Sequence, residues 1–293
     1  MGIHRRFFLQ AGLGVILAPV IHGCRSQGAS QANAAVSQEL LTQVKKRGHL
    51  LIATEDYYPP FEFLVNDRPA GLDHDLLERL RKSAPFEIRQ EIRPWTGLLP
   101  GVGDGEYDAA ITAANITEER AKFLDFTMPI AETTLVYLKR KDDRSIQGIA
   151  DLSGRRIGVQ RGGASFDAVP TLAATLQTTS GTLGPIKEYG SFPEAYRDLN
   201  SQQVDVVLNN IVSLSILVNE KPGIFELGEP VVPRSYAAWA VKKGNQALVS
   251  YLNQFLSQMR ESGELKQLQQ RWLKVAFDQL PQEPLLPGDR SMS

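Results

Sequence analysis

The segment AANITEER, residues 113–120, sets Asn115, Thr117 and Arg120 where an apolar run gives way to charge. That junction admits two chemistries. As local structure it is a helix start: Thr117 caps, Glu118 and Glu119 favour the positive helix end, and Arg120 is solvated. As a site it is an anion clamp, in which the first N–H groups of the helix and a guanidinium fork converge on a carboxylate. QRGGAS, residues 160–165, poses the same choice. It is an ordinary strand-to-helix turn with a Ser cap, or a second set of N–H groups. Gly162 and Gly163 would then let a ligand approach the backbone, and Ala164 and Ser165 would open the helix. Other chemistries lack their residues. There is no Ser–His–Asp order, no His-Glu-x-x-His spacing and no phosphate loop. Past residue 24 the only histidines are His49 and His74, each at the start of an expected element.

The elements that must position these residues alternate along the chain. ELLTQVKKR (39–47) reads as a short helix closed by Gly48, and HLLIAT (49–54) as a compact strand. GLDHDLLERLRKSA (71–84) carries Leu76, Leu77 and Leu80 at helical spacing, with Asp73 expected as its N-cap. FEIRQEIR (86–93) alternates like a half-buried strand; a short helix after Thr96 and the strand DAAITA (108–113) follow. A second unit begins near residue 140, with RKDDRS (140–145) as a charged connector. It holds a strand, Gly turn and helix from Arg155, a helix at 191–203, the strand VDVVLN (204–209), a packed helix at 210–220 and a strand within 235–245. The last long segment has Leu248, Leu252, Phe255, Leu256 and Met259 at helical spacing, broken at Gly263. Alternation of this kind predicts parallel sheets with helices on both faces. The tail from Pro281 is Pro-rich and is expected to be disordered.

The 293 residues, 42% hydrophobic and 22% charged, suffice for one large or two small globular domains. No basic patch with interleaved aromatics asks for nucleic acid. The N-terminus differs: HRRFFLQAGLGVILAPVIHGC pairs two arginines with an apolar stretch too short and Gly-rich to span a membrane. It resembles a twin-arginine export signal, matched at Arg5, Arg6, Phe8 and Leu9. VIHGC resembles a lipoprotein cleavage box with Cys24 as acceptor, although Ile21 and His22 depart from the usual leucine and small residue. Cys24 is thus either a lipid anchor or an incidental thiol. It is the only cysteine, so no intramolecular disulfide can form. Without residues 1–23 the chain counts 30 basic against 33 acidic residues. RSQGASQANAAVSQ then reads as a flexible leash.

Seven pieces in order resemble the bacterial extracellular solute-binding proteins of family 3, which deliver polar amino acids to ATP-driven ABC importers. They are ATEDYYPPFEF (53–63), GLDHDLLERL (71–80), WTGLLPGV (95–102), YDAAITAANITEERAKFLDFTMP (107–129), DLSGRRIGVQRGGAS (151–165), VDVVLNN (204–210) and ESGELKQLQQRWL (261–273). The resemblance implies an α/β, two-lobed periplasmic-binding-protein fold of type II, hinged on two crossing strands. Residues 1–23 would be the export signal and 24–47 the linker and short helix. Lobe 1 would be 48–139 with 236–277, lobe 2 would be 140–235, and 278–293 the disordered tail. The crossings would fall near Lys139–Arg140 and Arg234–Tyr236. It also implies a monomer outside the cytoplasm, without cofactor or metal, tethered if Cys24 is lipidated, with importer membrane subunits as partners.

The resemblance assigns roles by position. Arg120 grips the ligand α-carboxylate, a role lysine fills poorly because the fork geometry matters. Asn115 stands where a hydroxyl and N–H serve the ligand, and Ala113 where a backbone carbonyl accepts from its amine. Gly163, Ala164 and Ser165 form a carboxylate cradle. Tyr58 and Trp95 stack on the ligand side chain, or else pack in loop and hinge; Phe61 belongs to the core. Glu55 senses the side chain or faces solvent. One position departs: Asn210 stands where the family has an aspartate for the α-ammonium. A neutral amide there leaves two alternatives, an amino acid in a rearranged amine site or a carboxylate whose nitrogen is modified or missing. Two other functions remain alternatives: a dehydratase acting on cyclic carboxylates, as in cyclohexadienyl-dehydratase-like relatives, for which Glu55 and Asp56 are the obvious acids, and the ligand-binding subunit of a sensor.

Overall fold

The computed structural model describes Gly2 and residues 40–286. The export signal, Cys24, the leash and residues 287–293 of the tail lie outside the described residues. Helix α1 (residues 40–47) ends at Gly48, whose N–H reaches Val44 O at 2.9 Å. β1 (His49–Glu55) leads into a small antiparallel ribbon of β2 (Tyr57–Tyr58), β3 (Glu62–Val65) and β4 (Arg68–Ala70), which the sequence pattern did not announce. Then come α2 (Leu72–Ser83), β5 (Glu87–Arg93), α3 (Leu98–Asp104), β6 (Ala109–Asn115), α4 (Glu118–Ala121), β7 (Leu124–Phe126) and β8 (Ala131–Glu132). The second lobe holds β9 (Leu135–Arg140), β10 (Ile157–Gln160), α5 (Ala164–Asp167), α6 (Val169–Gln177), β11 (Ile186–Tyr189), α7 (Phe192–Asn200), β12 (Val206–Asn210), α8 (Ile211–Glu220) and β13 (Phe225–Pro230). β14 (Tyr236–Lys242) returns the chain to the first lobe, which α9 (Gln246–Glu261) and α10 (Glu264–Trp272) complete.

The two large sheets share one plan. The first runs β5-β1-β6-β14-β7 with β8 beside β14, and the second runs β11-β10-β12-β9-β13. In each, three strands are parallel: β5, β1 and β6 in one, β11, β10 and β12 in the other. The expectation of parallel sheets is corrected at the crossing strands. β14 runs antiparallel to β6, and β9 antiparallel to β12, because each arrives from the opposite lobe. Sheet membership also places the first crossing earlier than Lys139–Arg140. Residues 135–139 are buried and pair with β12 and β13, so the chain crosses between Glu132 and Leu135. The second crossing lies between Pro230 and Tyr236. The two crossings lie side by side: Thr133 N–H donates to Ser235 O at 2.8 Å, and Ser235 Oγ donates to Thr133 O at 3.2 Å.

Local physics explains the elements near the cleft. Leu72, Leu76, Leu77 and Leu80 form the buried stripe of α2 against the first sheet. Its N-cap is Gly71, not Asp73: Gly71 has φ 125°, and a Cβ there would stand 2.2 Å from Phe61 O. Asp73 turns inward and accepts from Trp239 Nε1 at 2.7 Å. α9 and α10 part at Gly263, which has φ 75°. The expected disorder is corrected for residues 281–286. Leu285 and Leu286, with Leu280, pack on the lobe-1 core around Trp95 and Leu98, and Arg260 Nη1 donates to Pro281 O at 2.9 Å. Three leucines outweigh the prolines once an apolar face is there to cover.

Candidate functional site

Each lobe aims the carboxyl ends of its parallel strands at the other. β1 ends at Glu55, β6 at Asn115, β10 at Gln160, and β12 at Asn209 and Asn210. Ligands of open α/β sheets bind at such ends, because strand-to-helix turns there expose unpaired N–H groups. Glu55, Asn115, Gln160 and Asn209 all line one cavity between the lobes, together with Tyr58, Trp95, Ala113, Arg120, Leu135, Ala164, Ser165 and Phe192. The cavity measures about 20 Å³, water-sized, because the two lobes meet across it.

Arg120 is its cation, and it is only 4% exposed. The helix start is where the sequence places it, but Arg120 is buried, not solvated as that reading expected. Thr117 caps α4, its Oγ1 accepting the Arg120 N–H at 3.3 Å, and the turn swings the side chain back into the cleft. Nη1 donates to Asn115 O at 2.9 Å and Nη2 to Gly162 O at 3.3 Å. Nε lies 3.5 Å from Asp167 Oδ2 on α5 of the other lobe, and the guanidinium sits 5.1 Å from the centre of the Trp95 ring. Burial pushes the Arg120 pKa down, and Asp167, Tyr58 and Glu55 oppose the shift. Burial raises Asp167, and Arg120 and the Thr117 hydroxyl oppose that.

The acid of the cavity is Glu55, 3% exposed. Burial raises its pKa well above the usual carboxylate range, against a hydrogen bond from Gln160 and the charge of Arg120. Gln160 Nε2 donates to Glu55 Oε1 across the cleft at 3.4 Å. A guanidinium and a carboxyl group thus face one small space.

Of the residues assigned by position, Arg120, Asn115, Ala113, Trp95, Tyr58, Glu55, Ala164 and Ser165 come together around this cavity. Gly163 caps α5 just outside it, while Gly162 O accepts from Trp95 Nε1 at 3.0 Å as well as from Arg120. Ser165 Oγ accepts the Gln160 N–H at 3.0 Å. Asn210 lies behind the wall. It caps α8, accepting from Ser213 N–H at 2.8 Å, and donates to the Tyr58 hydroxyl at 2.7 Å. Asn209 takes the lining position instead, with Nδ2 donating to Tyr196 OH at 2.8 Å. Gln160, Phe192, Leu135 and Asn209 were not singled out from the sequence. The strand-end rule, applied to β10 and β12 as it was to β6, would have found Gln160 and Asn209. Among the described residues no group of three or more His, Cys, Asp or Glu side chains is placed to hold a metal ion, and no helix is long and apolar enough to cross a membrane.

Two α/β lobes, two crossings and a buried cation in the cleft define a hinged ligand-binding protein. The chain belongs to the bacterial extracellular solute-binding proteins, family 3, whose family model matches residues 50–275. It is 26% identical to the L-cystine-binding protein TcyJ of Escherichia coli (strain K12) over 265 residues, covering 90% of this chain and 94% of that one. An ancestral arginine-binding protein solved with arginine bound is 29% identical, with a TM-score of 0.68 over 77% of this chain and 98% of its own. An ancestral amino-acid-binding protein, a precursor of cyclohexadienyl dehydratase, shares the fold at 24% identity with a TM-score of 0.70, covering 80% of this chain and 99% of that one.

Proposed function

We propose that this protein captures an amino acid, or a carboxylate built like one, between its lobes and delivers it to an ABC importer. The observation that carries the reading is Arg120. Its guanidinium is buried at the meeting point of four strand ends, beside an indole. That cation suits a ligand carboxylate, through paired charge-assisted hydrogen bonds. The relatives named for cystine and arginine support the class. Glu55 and Gln160 select a side chain that donates hydrogen bonds, and a cationic side chain would hold Glu55 ionised. The protein works as a monomer outside the cytoplasm, exported through Arg5 and Arg6 and tethered at Cys24. Cys24→Ser should release it from the membrane fraction.

Calorimetric titration of arginine, glutamine and cystine tests the site. Arg120→Ala should weaken whichever binds by about tenfold to a hundredfold, as loss of charged hydrogen bonds implies. The melting curve should stay cooperative. An unchanged titration removes the assignment. The enzyme reading has one observation in its favour, the raised pKa of buried Glu55, which suits a general acid. Incubation with a cyclic dienyl carboxylate, followed by absorbance, should show no turnover; turnover abolished by Glu55→Gln would favour the enzyme.

A further inference from the structure

We propose that a pocket beside the cleft receives the nitrogen substituent of an N-acylated amino acid whose carboxylate Arg120 holds, so that the ligand spans two adjoining cavities. The proposal rests on the carboxylate-binding reading of Arg120. The second pocket measures about 420 Å³ and lies between α7 and α8, roofed by residues 57–59 of the lobe-1 ribbon. Tyr57, Phe192, Tyr196, Ile216, Leu217 and Ile224 give it an apolar, aromatic lining, and Arg197, Glu220 and Lys221 add polar groups.

Three observations join it to the site. Both cavities share Tyr58, Phe192 and Asn209 as walls. The rings run from one to the other as a stack: Tyr58 to Phe192 at 6.3 Å and Phe192 to Tyr196 at 5.9 Å, with interplanar angles of 20° and 17°. The shared wall is also built from both lobes, Tyr58 from the first and Phe192 and Asn209 from the second. Parting the lobes therefore opens it, and a substituent laid there is enclosed when they meet.

The acid of the first cavity, Glu55, stands at the end of β1, whereas the wall shared with the second pocket carries no acid. At the end of β12 an ammonium would find amides instead of a carboxylate. Asn209 Nδ2 is committed to Tyr196, Asn209 Oδ1 accepts the Asn210 N–H at 2.7 Å, and Asn210 Oδ1 accepts from Ser213. Desolvating a cation against neutral, occupied amides is costly. A neutral amide N–H loses less, and its acyl group continues past Asn209 to the rings of Phe192 and Tyr196.

Calorimetry on the protein, with arginine, glutamine and their Nα-benzoyl derivatives, tests this. The benzoyl derivatives should bind about tenfold tighter or better, as burial of an aryl group implies. Ile216→Trp, which fills the second pocket from α8, should abolish that gain and leave the free amino acids unchanged. Ile216→Ala, a milder change that guards against misfolding, should reduce it. Free amino acids that bind as tightly as their benzoyl forms, or a gain that survives Ile216→Trp, overturn the second pocket and leave the Arg120 reading standing. Titrations of both kinds that Arg120→Ala does not alter overturn the reading beneath it.

Discussion

A guanidinium at 4% exposure needs partners, and Arg120 takes two carbonyls, a carboxylate and an indole face. No such economy is visible at two buried acids of lobe 1. Glu62 Oε2 and Asp73 Oδ2 have no hydrogen-bond partner, and burial raises Asp73 to about 7 and Glu62 to about 9. Trp239 opposes the shift at Asp73; the neighbouring Asp73 adds to it at Glu62. The sign follows from proton counting. Between the ordinary value and the raised one, the folded chain keeps a proton that the unfolded chain has lost, so stability falls as pH rises. The window runs from 3.8 to about 7 for Asp73 and from 4.5 to about 9 for Glu62. Each group can subtract up to ~1.4 kcal/mol per pH unit within its window. Urea unfolding should show a falling midpoint from pH 5 to 9, and Glu62→Gln should flatten the stretch above pH 7. A wild-type midpoint that climbs across that range would contradict the burial of these acids.

At the scale of elements, the contiguous features were legible. The AANITEER junction, the Gly-Gly turn and the leucine stripe of α2 each sit within a dozen residues, so spacing alone reveals them. Long-range features were not. β9 and β14 are apolar runs, LVYLKR and YAAWAVK, that read alike whether they run parallel or antiparallel. Their direction comes from the opposite lobe, and the misplaced first crossing has the same origin. Phe192 gains meaning only when the helix start of one lobe faces the other. Gly71 shows the local limit: its neighbour Asp73 looks like a cap, but the close approach of Phe61 O decides the turn. Gly71→Ala combines a positive φ with a steric clash, so it should cost about 2 kcal/mol or more in urea unfolding. The ribbon carrying Tyr58 hangs from that turn, and ligand affinity should fall with it.

Across the whole molecule, a short set of cross-lobe contacts holds the two halves together. Trp95 Nε1 and Arg120 reach Gly162 O, Ser213 Oγ donates to Pro59 O at 2.9 Å, Asn210 donates to Tyr58, and Asp167 faces both Arg120 and Thr117. Most of these would survive around a ligand, but the last would not. A carboxylate that takes the Nε–Nη2 edge of Arg120 must displace Asp167, so that pair favours closure only while the edge is otherwise unclaimed. A contact present in one closed form and lost in the other biases the equilibrium against the ligand. Asp167→Asn removes the charge and keeps the shape. Small-angle scattering without ligand should then report a larger radius of gyration, because the open population grows. Titration of the amino acid that binds wild type should show tighter binding, because Arg120 no longer has to exchange one carboxylate for another. Weaker binding by Asp167→Asn would mean that Asp167 touches the ligand itself, as an acid for its ammonium, and the competition described here would not exist.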